Sequence, residues 1–458
     1  MRFPLLARVA AIAMVAVVIL VPIKLISEKI SERQARAAAV VAQFSAETSG
    51  PQLIVGPLLA ITCEETFVEE RQVMRGGKAE TIAETKTTSC PTAYFSPRTF
   101  KATASMPVES LHRGIYAIRL YRSNVDLAGE FDWPEPPAPN GANARAWKQV
   151  YIGSFVQDPR GIKSISSNFS TKVLAGGGDS AFIQFPIREH LGSYASRKAG
   201  TILPFHYKMS LVGTSSLHIA PVGDQNEIQL ASDWPHPSFG EAWSPDARTV
   251  AADGFNAKWH ITSVATGGRA MWNRLASDGK IANAAGAGAS LFDPVNVYAL
   301  SYRATAYAFL FVLFTFSALA LTEVLFAVRL HPLQYALVGS AIAVFFLLLL
   351  ALSEHVAFES AYAIAGTGCV VLLTFYLRHP LGNLLRTGAF FSIFVALYTA
   401  LYFLLISEDQ ALLMGSLMVF FLLAVTMIAT RKLDWSELAA RMLASRTSGG
   451  EEGAAVAE

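Results

Sequence analysis

The chain has 458 residues, of which 52% are hydrophobic and only 16% charged, with a formal net charge of +2. This composition is too apolar for an ordinary soluble protein and marks a membrane protein, and the near-neutral balance lacks the basic field that nucleic acid requires of a partner. With three cysteines, Cys369 being inside an apolar run, neither a zinc cluster nor a disulfide framework is available.

In chain order, Arg2 and Arg8 precede an apolar stretch from Val9 to Ile23, the layout of signal peptides and signal anchors. Lys24 and Lys29 follow where a cleavage site would need small residues, and Ala37 to Ala39 lie too far downstream, so an uncleaved anchor is expected. Helix-favouring composition from Ser27 to Ala46 carries the helix beyond the bilayer, and Gly50-Pro51 ends it.

From Gln52 to about Tyr302 short alternating runs are separated by Gly, Pro, Asn and Asp, which predicts an all-β, sandwich-like domain over residues 50–302. Tyr116 to Arg122, Lys208 to Gly213, Leu217 to Ile219 and Glu227 to Leu230 read as strands, the last two around a turn at Gly223 to Asn226. No convincing amphipathic helix interrupts them. Two β-subdomains are open at this length, and Leu127 to Pro134 echoes Leu230 to Pro235 as the same edge of a duplicated unit would, or by chance. Cys63 and Cys90 are either a disulfide, if this segment is exported, or two inert thiols.

After Arg303 five apolar segments predict crossings at about 304–326, 333–352, 356–377, 389–406 and 411–429. With the anchor at 1–49 this makes six transmembrane helices, five of them in a domain at 303–432, followed by a cytoplasmic tail at 433–458 whose end from Ala444 reads as disordered. Arg329, then Arg378 and Arg386, then Arg431 and Lys432 fall on one side, whereas Glu354, Glu359, Glu408 and Asp409 fall on the other. An excess of basic residues on cytoplasmic loops then puts both termini in the cytoplasm and residues of about 27–302 in the periplasm or outside. His331-Pro332-Leu333 before crossing three and His379-Pro380-Leu381 before crossing five, with Ser353-Glu354 and Ser407-Glu408 closing those helices, suggest a duplicated helical hairpin. Proline's suitability for a first helical turn explains much of the same pattern.

No phosphate-binding loop, zinc-protease helix or nucleophile elbow occurs, and Gly176-Gly177-Gly178-Asp179 lacks the lysine a phosphate cradle needs. No enzyme, cofactor or metal site is therefore assigned. Glu323, with Arg329 to neutralise it, and Glu354 and His355 at the opposite mouth are the candidates for an ion or proton path; His355 and Glu359 share a face if the helix starts by His355. The alternative is that Glu323 snorkels and the outer cluster is a solvated loop. Tyr335, Tyr362, Tyr376, Tyr398 and Tyr402 read as belt or packing residues. In the β domain, prolines on either side of His236 present Trp234 and Phe239, either as a partner-binding loop or as a corner whose aromatics cap the core.

Val21-Pro22-Ile23, Thr48 to Gln52, Val55 to Leu58, Asp158 to Ile162, Asp233 to Phe239, Arg303-Ala304-Thr305, Arg329 to Gly339 and Leu349 to His355 together resemble the CreD family of bacterial inner-membrane proteins. The resemblance implies a Gram-negative inner-membrane protein linked to envelope integrity, in a family associated with a two-component system, β-lactam response and colicin tolerance. It implies no catalytic or binding residues. The expectation is a non-enzymatic protein whose periplasmic domain binds a protein or envelope component, its other partners being membrane lipids; the alternative is a transporter or channel.

Overall fold

A computed structural model describes residues 3–75, 78–135, 144–169, 185–240, 242–291, 297–326, 330–407 and 410–431. Arg2, Gly176 to Asp179, Arg329, Glu408, Asp409, Lys432 and the tail, singled out above, lie outside these residues. The chain divides into two compact units, residues 1–38 with 295–458, and residues 39–294.

Helix α1 runs from Phe3 to Glu47 without a break at Pro22, far longer than a bilayer needs. Ile19 and Ile23 are buried in the membrane unit while Met14, Val17, Val18, Val21 and Leu25 are exposed. One stripe therefore packs against protein and the rest faces outward, where only an apolar solvent suits it.

In the β-rich unit the strands are β1 (Gln52–Arg75), β2 (Lys78–Phe95), β3 (Thr99–Ser105), β4 (Val108–Arg113), β5 (Tyr116–Asp132), β6 (Ala144–Val156), β7 (Ile162–Ser167), β8 (Ile187–Ser193), β9 (Ile202–Thr214), β10 (Ser216–Ile219), β11 (Gln225–Ser232), β12 (Pro237–Phe239), β13 (Ala247–Ala251), β14 (Gly254–Thr262) and β15 (Ala287–Leu291). One sheet has the order β12-β15-β10-β1-β6-β8, with β2 also on β1; the other has β13-β14-β11-β3-β5-β9-β7, with β4 on β5. Strand β3 alternates exposed and buried residues along its whole length, as a strand with one covered face must. A single core joins Leu59, Ile61 and Ile152 of the first sheet to Phe100, Leu127, Tyr207 and Trp259 of the second. The two sheets thus share one core.

Three expectations change here. The strands on either side of Gly223 to Asn226 do not pair: β10 lies parallel to β1 in one sheet and β11 lies parallel to β3 in the other. Buried Asn226 pins that crossover, accepting from Gly223 N at 2.7 Å and donating to Gly223 O and Ile261 O at 2.7 Å. The sequence echo is not a repeated edge, because β5 is antiparallel and β11 parallel to β3, so the two segments leave the sheet at opposite ends. Trp133 is buried and Trp234 only half so. Finally, helices do interrupt the strands: a turn of helix α2 (Ser263–Thr266) leads into α3 (Gly268–Ser277), which buries Trp272 and Ala276 and packs on β2. Ten residues with two arginines carry too weak a helical period to be read from sequence.

The membrane unit continues with α4 (Val297–Ala306), α5 (Ala308–Phe326), α6 (Pro332–Ser353), α7 (Phe358–Leu381), α8 (Leu384–Ile406) and α9 (Ala411–Thr430). Among the described residues five helices, α1 and α6 to α9, are long and apolar enough to cross a membrane, and α4 with α5, bent by 43°, makes a sixth span if counted as one. Helix α6 is opened by His331, whose Nδ1 accepts from Leu333 N while Gln334 Oε1 accepts from His331 N at 2.8 Å, a reciprocal cap. His379-Pro380 occupies the corresponding place in sequence but not in structure. It lies in the last turn of α7, which stops at Gly382 with φ +65°, and Asn383 caps α8 instead. The two His-Pro-Leu segments are therefore not equivalent parts of a repeat.

Candidate functional site

The C-terminal end of α1 leaves carbonyls that need partners, and the structure meets that need with residues far apart in sequence. Thr48 N and its hydroxyl both donate to Phe44 O. Arg160 donates through Nη1 to Ala46 O and through Nη2 to Ser45 O at 3.4 Å. A guanidinium at a helix C-terminus also complements its dipole.

Arg160 is held by Asp158, Nε to Oδ1 at 2.8 Å and Nη2 to Oδ2 at 2.6 Å. Asp158 Oδ2 also accepts from Gly50 N at 2.9 Å. Arg160, followed by the Gly50 amide, holds the Asp158 carboxyl below the usual carboxylate range. Asp158 caps the short turn Pro159–Gly161, with Pro159 in the first position where its missing N–H costs nothing.

Gln52, 1% exposed, is the hub. Its Nε2 donates to Ser49 Oγ at 2.6 Å, Asp158 O at 3.0 Å and Val212 O at 3.5 Å, and its Oε1 accepts from Asp158 N at 3.2 Å. Thr214 Oγ1 donates to Ser49 O at 3.1 Å, and buried Tyr121 donates to Ser216 O at 2.6 Å, burial pushing its phenol well up. A Cβ at Gly161 would lie 2.3 Å from Val212 O and 2.6 Å from Ser49 Oγ, so only glycine fits. At Gly56, φ is +109° and the register of β1 against β6 shifts beside it. Thr48 to Gln52, Val55 to Leu58 and Asp158 to Ile162, distinctive in sequence, are thus parts of one polar joint and the bulged strand leaving it. Sequence reasoning missed the joint; the Asp-Pro pair was its only local signal.

Strands β1 and β2 stay in register from Cys63 opposite Cys90 out to Arg75 opposite Lys78, whereas β6 accompanies β1 only as far as Thr66. Among the described residues the pair beyond that point is a two-stranded arm, with Val68 43% and Ile82 42% exposed. Its root is fixed by Arg145 on Glu65, with Nε at 2.7 Å from Oε1, and by Lys148 on Glu64 at 2.8 Å. The Cα atoms of Cys63 and Cys90 are 5.4 Å apart, within the span of a disulfide, and their sulfur atoms are in contact.

In the loop carrying Trp234, His236 and Phe239, Phe239 turns onto the core while Trp234 is half-buried and His236 exposed. Phe239 meets Phe255 and Trp259 edge-on at 5.6 and 6.0 Å, and the Trp234 ring lies under the Arg119 guanidinium at 4.8 Å. Trp234 Nε1 donates to His236 O at 3.0 Å, and Asp233 Oδ1 accepts from Val108 N at 2.9 Å. This geometry is that of a corner closing the core.

The membrane candidates are not brought together. Glu323 Oε1 accepts from Leu330 N at 2.5 Å at one end of α6, and Glu354 caps the other end. The 22 residues between put them about 33 Å apart along the helix. Arg33 of α1 stands 3.8 Å from Glu354, whose side chain is 12% exposed. His355 is exposed and precedes α7, which starts at Phe358, so the shared face with Glu359 does not form. Tyr335, Tyr362 and Tyr398 are buried packing residues, and Tyr362 OH donates to Tyr398 O at 2.8 Å.

Residues 4–436 match the model of a family described as "Inner membrane protein CreD". The chain is 31% identical over 446 residues to Inner membrane protein CreD of Escherichia coli (strain K12), covering 95% of this chain and 94% of that one. No solved structure matches.

Proposed function

The chain belongs to the CreD family of inner-membrane proteins, and from that premise we propose a non-enzymatic role in bacterial envelope integrity and stress response, in which a periplasmic β domain binds a protein or an envelope component. Both termini are cytoplasmic in this reading, as the basic loops on one side and the acidic loops on the other require. One observation carries the binding role: beyond Thr66 the β1–β2 arm is covered by no further strand of the described residues, and residues 68–72 and 81–89 are exposed. An arm of two strands is marginal by itself, and a Cys63–Cys90 bond at its root, suited to an oxidising compartment, would steady it. The joint around Gln52 favours the same reading, since its polar groups are engaged with one another.

The test is in-cell crosslinking from a photoreactive residue at Val68 or Ile82 of the full-length protein, with half-buried Trp234 as the comparison. A defined adduct from the arm and little from Trp234 is expected. Silence at both arm positions, together with solute or proton flux in liposomes that is lost on Glu323→Gln, would replace this reading by transport.

A further inference from the structure

Strand β2 has one strand partner among the described residues, β1, and their register runs without a shift from Cys63 opposite Cys90 to Arg75 opposite Lys78. Helix α3 meets β2 near its far end, where Asn273 Oδ1 accepts from Tyr94 N at 3.1 Å. Between Thr81 and Ser89 every residue is exposed, and this run holds neither proline nor glycine. A straight edge of this length, rich in β-branched side chains, is what another strand needs in order to pair. Charges on an edge discourage pairing, so the placement of Glu84 and Lys86 decides which strand is admitted. Within the arm Glu84 stands directly opposite Glu69, and like charges so placed destabilise a ladder. A cation on the open side of Glu84 offsets that repulsion. Lys86 lies on the same face as Glu84, because side chains alternate along a strand with a period of two.

We propose that two copies of this chain pair edge to edge through β2, antiparallel about a twofold axis at Thr85, which joins their arms into one four-stranded ribbon. The proposal rests on the reading of the arm as the binding element and names its partner. In this register Glu84 faces the partner's Lys86 and Lys86 faces the partner's Glu84, as the symmetry requires. Each lysine then also relieves the Glu69–Glu84 repulsion in the other copy. The whole run pairs with itself, from Thr81 opposite the partner's Ser89 to Ser89 opposite the partner's Thr81. An axis at Glu84 or at Lys86 instead sets like charge against like. A glycan or a lipid fits less well, because neither has the row of amides and carbonyls that extends a sheet. Pairing also removes the weakness of the isolated arm, since a two-stranded ribbon is marginal in water.

The experiment uses the full-length protein in native membranes, with cysteines introduced along β2 and mild oxidation. Directly opposed residues of such a ladder have Cβ atoms about 5 Å apart, close enough for a disulfide. Thr85→Cys, on the axis, gives a dimer on non-reducing gels. Thr81→Cys alone does not, because its counterpart lies about 26 Å away along the strand, whereas Thr81→Cys co-expressed with Ser89→Cys does. Lys86→Glu lowers the Thr85→Cys dimer about tenfold, two like-charge pairs replacing two opposite ones, and adding Glu84→Lys restores it. Thr85→Cys dimers no more abundant than those of Thr81→Cys alone overturn the proposal, as does a yield that Lys86→Glu leaves unchanged. If photoreactive residues at Val68 or Ile82 then capture a different protein, the arm still binds and only its partner differs; silence there as well removes the reading of the arm itself. Should Thr85→Cys exchange with Cys63 or Cys90, a photoreactive residue at Thr85 decides in its place by the presence or absence of a dimer adduct.

Discussion

Replacing Gln52 by leucine keeps the volume of the hub and removes both of its polar ends. Four hydrogen bonds are lost, three at 2.6, 3.0 and 3.2 Å to Ser49 Oγ, Asp158 O and Asp158 N and a fourth to Val212 O that at 3.5 Å is too long to count for much. At about 1 kcal/mol net for each of the three shorter ones, the β-rich unit should lose about 3 kcal/mol, more if the stranded groups stay dry. For a unit of roughly 250 residues that corresponds to a fall in Tm of about 6–12 °C. Six of the seven tryptophans, all but Trp435, lie between residues 39 and 294, so intrinsic fluorescence of the full-length protein during heating follows this unit. The double variant with Arg160→Ala should lose less than the sum of the single losses, because both residues act through Asp158. A Tm within about 2 °C of the wild type for Gln52→Leu would refute the reasoning, since one exposed hydrogen bond would account for it.

Other consequences can be checked alongside. Burial holds the His218 imidazole below its ordinary value, so on acidification the unfolded chain takes up this proton first; the β-rich unit should lose stability as pH falls below about 6.5, until the folded protein also binds it. His218→Gln should flatten that limb in a Tm-against-pH series. In protein purified without reductant and then denatured, maleimide should label Cys369 alone; the Cys63→Ser variant should lose about 3.5 kcal/mol, the chain-entropy value for a separation of 27 residues. His331→Ala removes one half of the cap on α6 and should cost about 1 kcal/mol, read as faster amide exchange in its first turn.

Much of the architecture is legible in the chain because it depends on neighbours in sequence. Apolar runs of about twenty residues must be satisfied as helices in a bilayer, which is why the predicted crossings at 333–352 and 411–429 agree with Pro332–Ser353 and Ala411–Thr430 within a residue. Alternation along β3 and β14 likewise declares strands with one covered face. The partner of a strand is not a local property. Nothing between Leu217 and Leu230 says that β10 and β11 enter different sheets; buried Asn226 decides it by bonding Ile261 O, 35 residues away.

The same division holds at the functional level. Composition and hydropathy determined a multi-pass membrane chain with a β-rich insertion, because transfer into lipid acts residue by residue. Only the tertiary structure placed Gln52 beside Asp158 and Val212, 106 and 160 residues further on. Buried polar groups must find partners wherever the fold brings them, and that pairing made a joint of residues that sequence shows only as separate motifs.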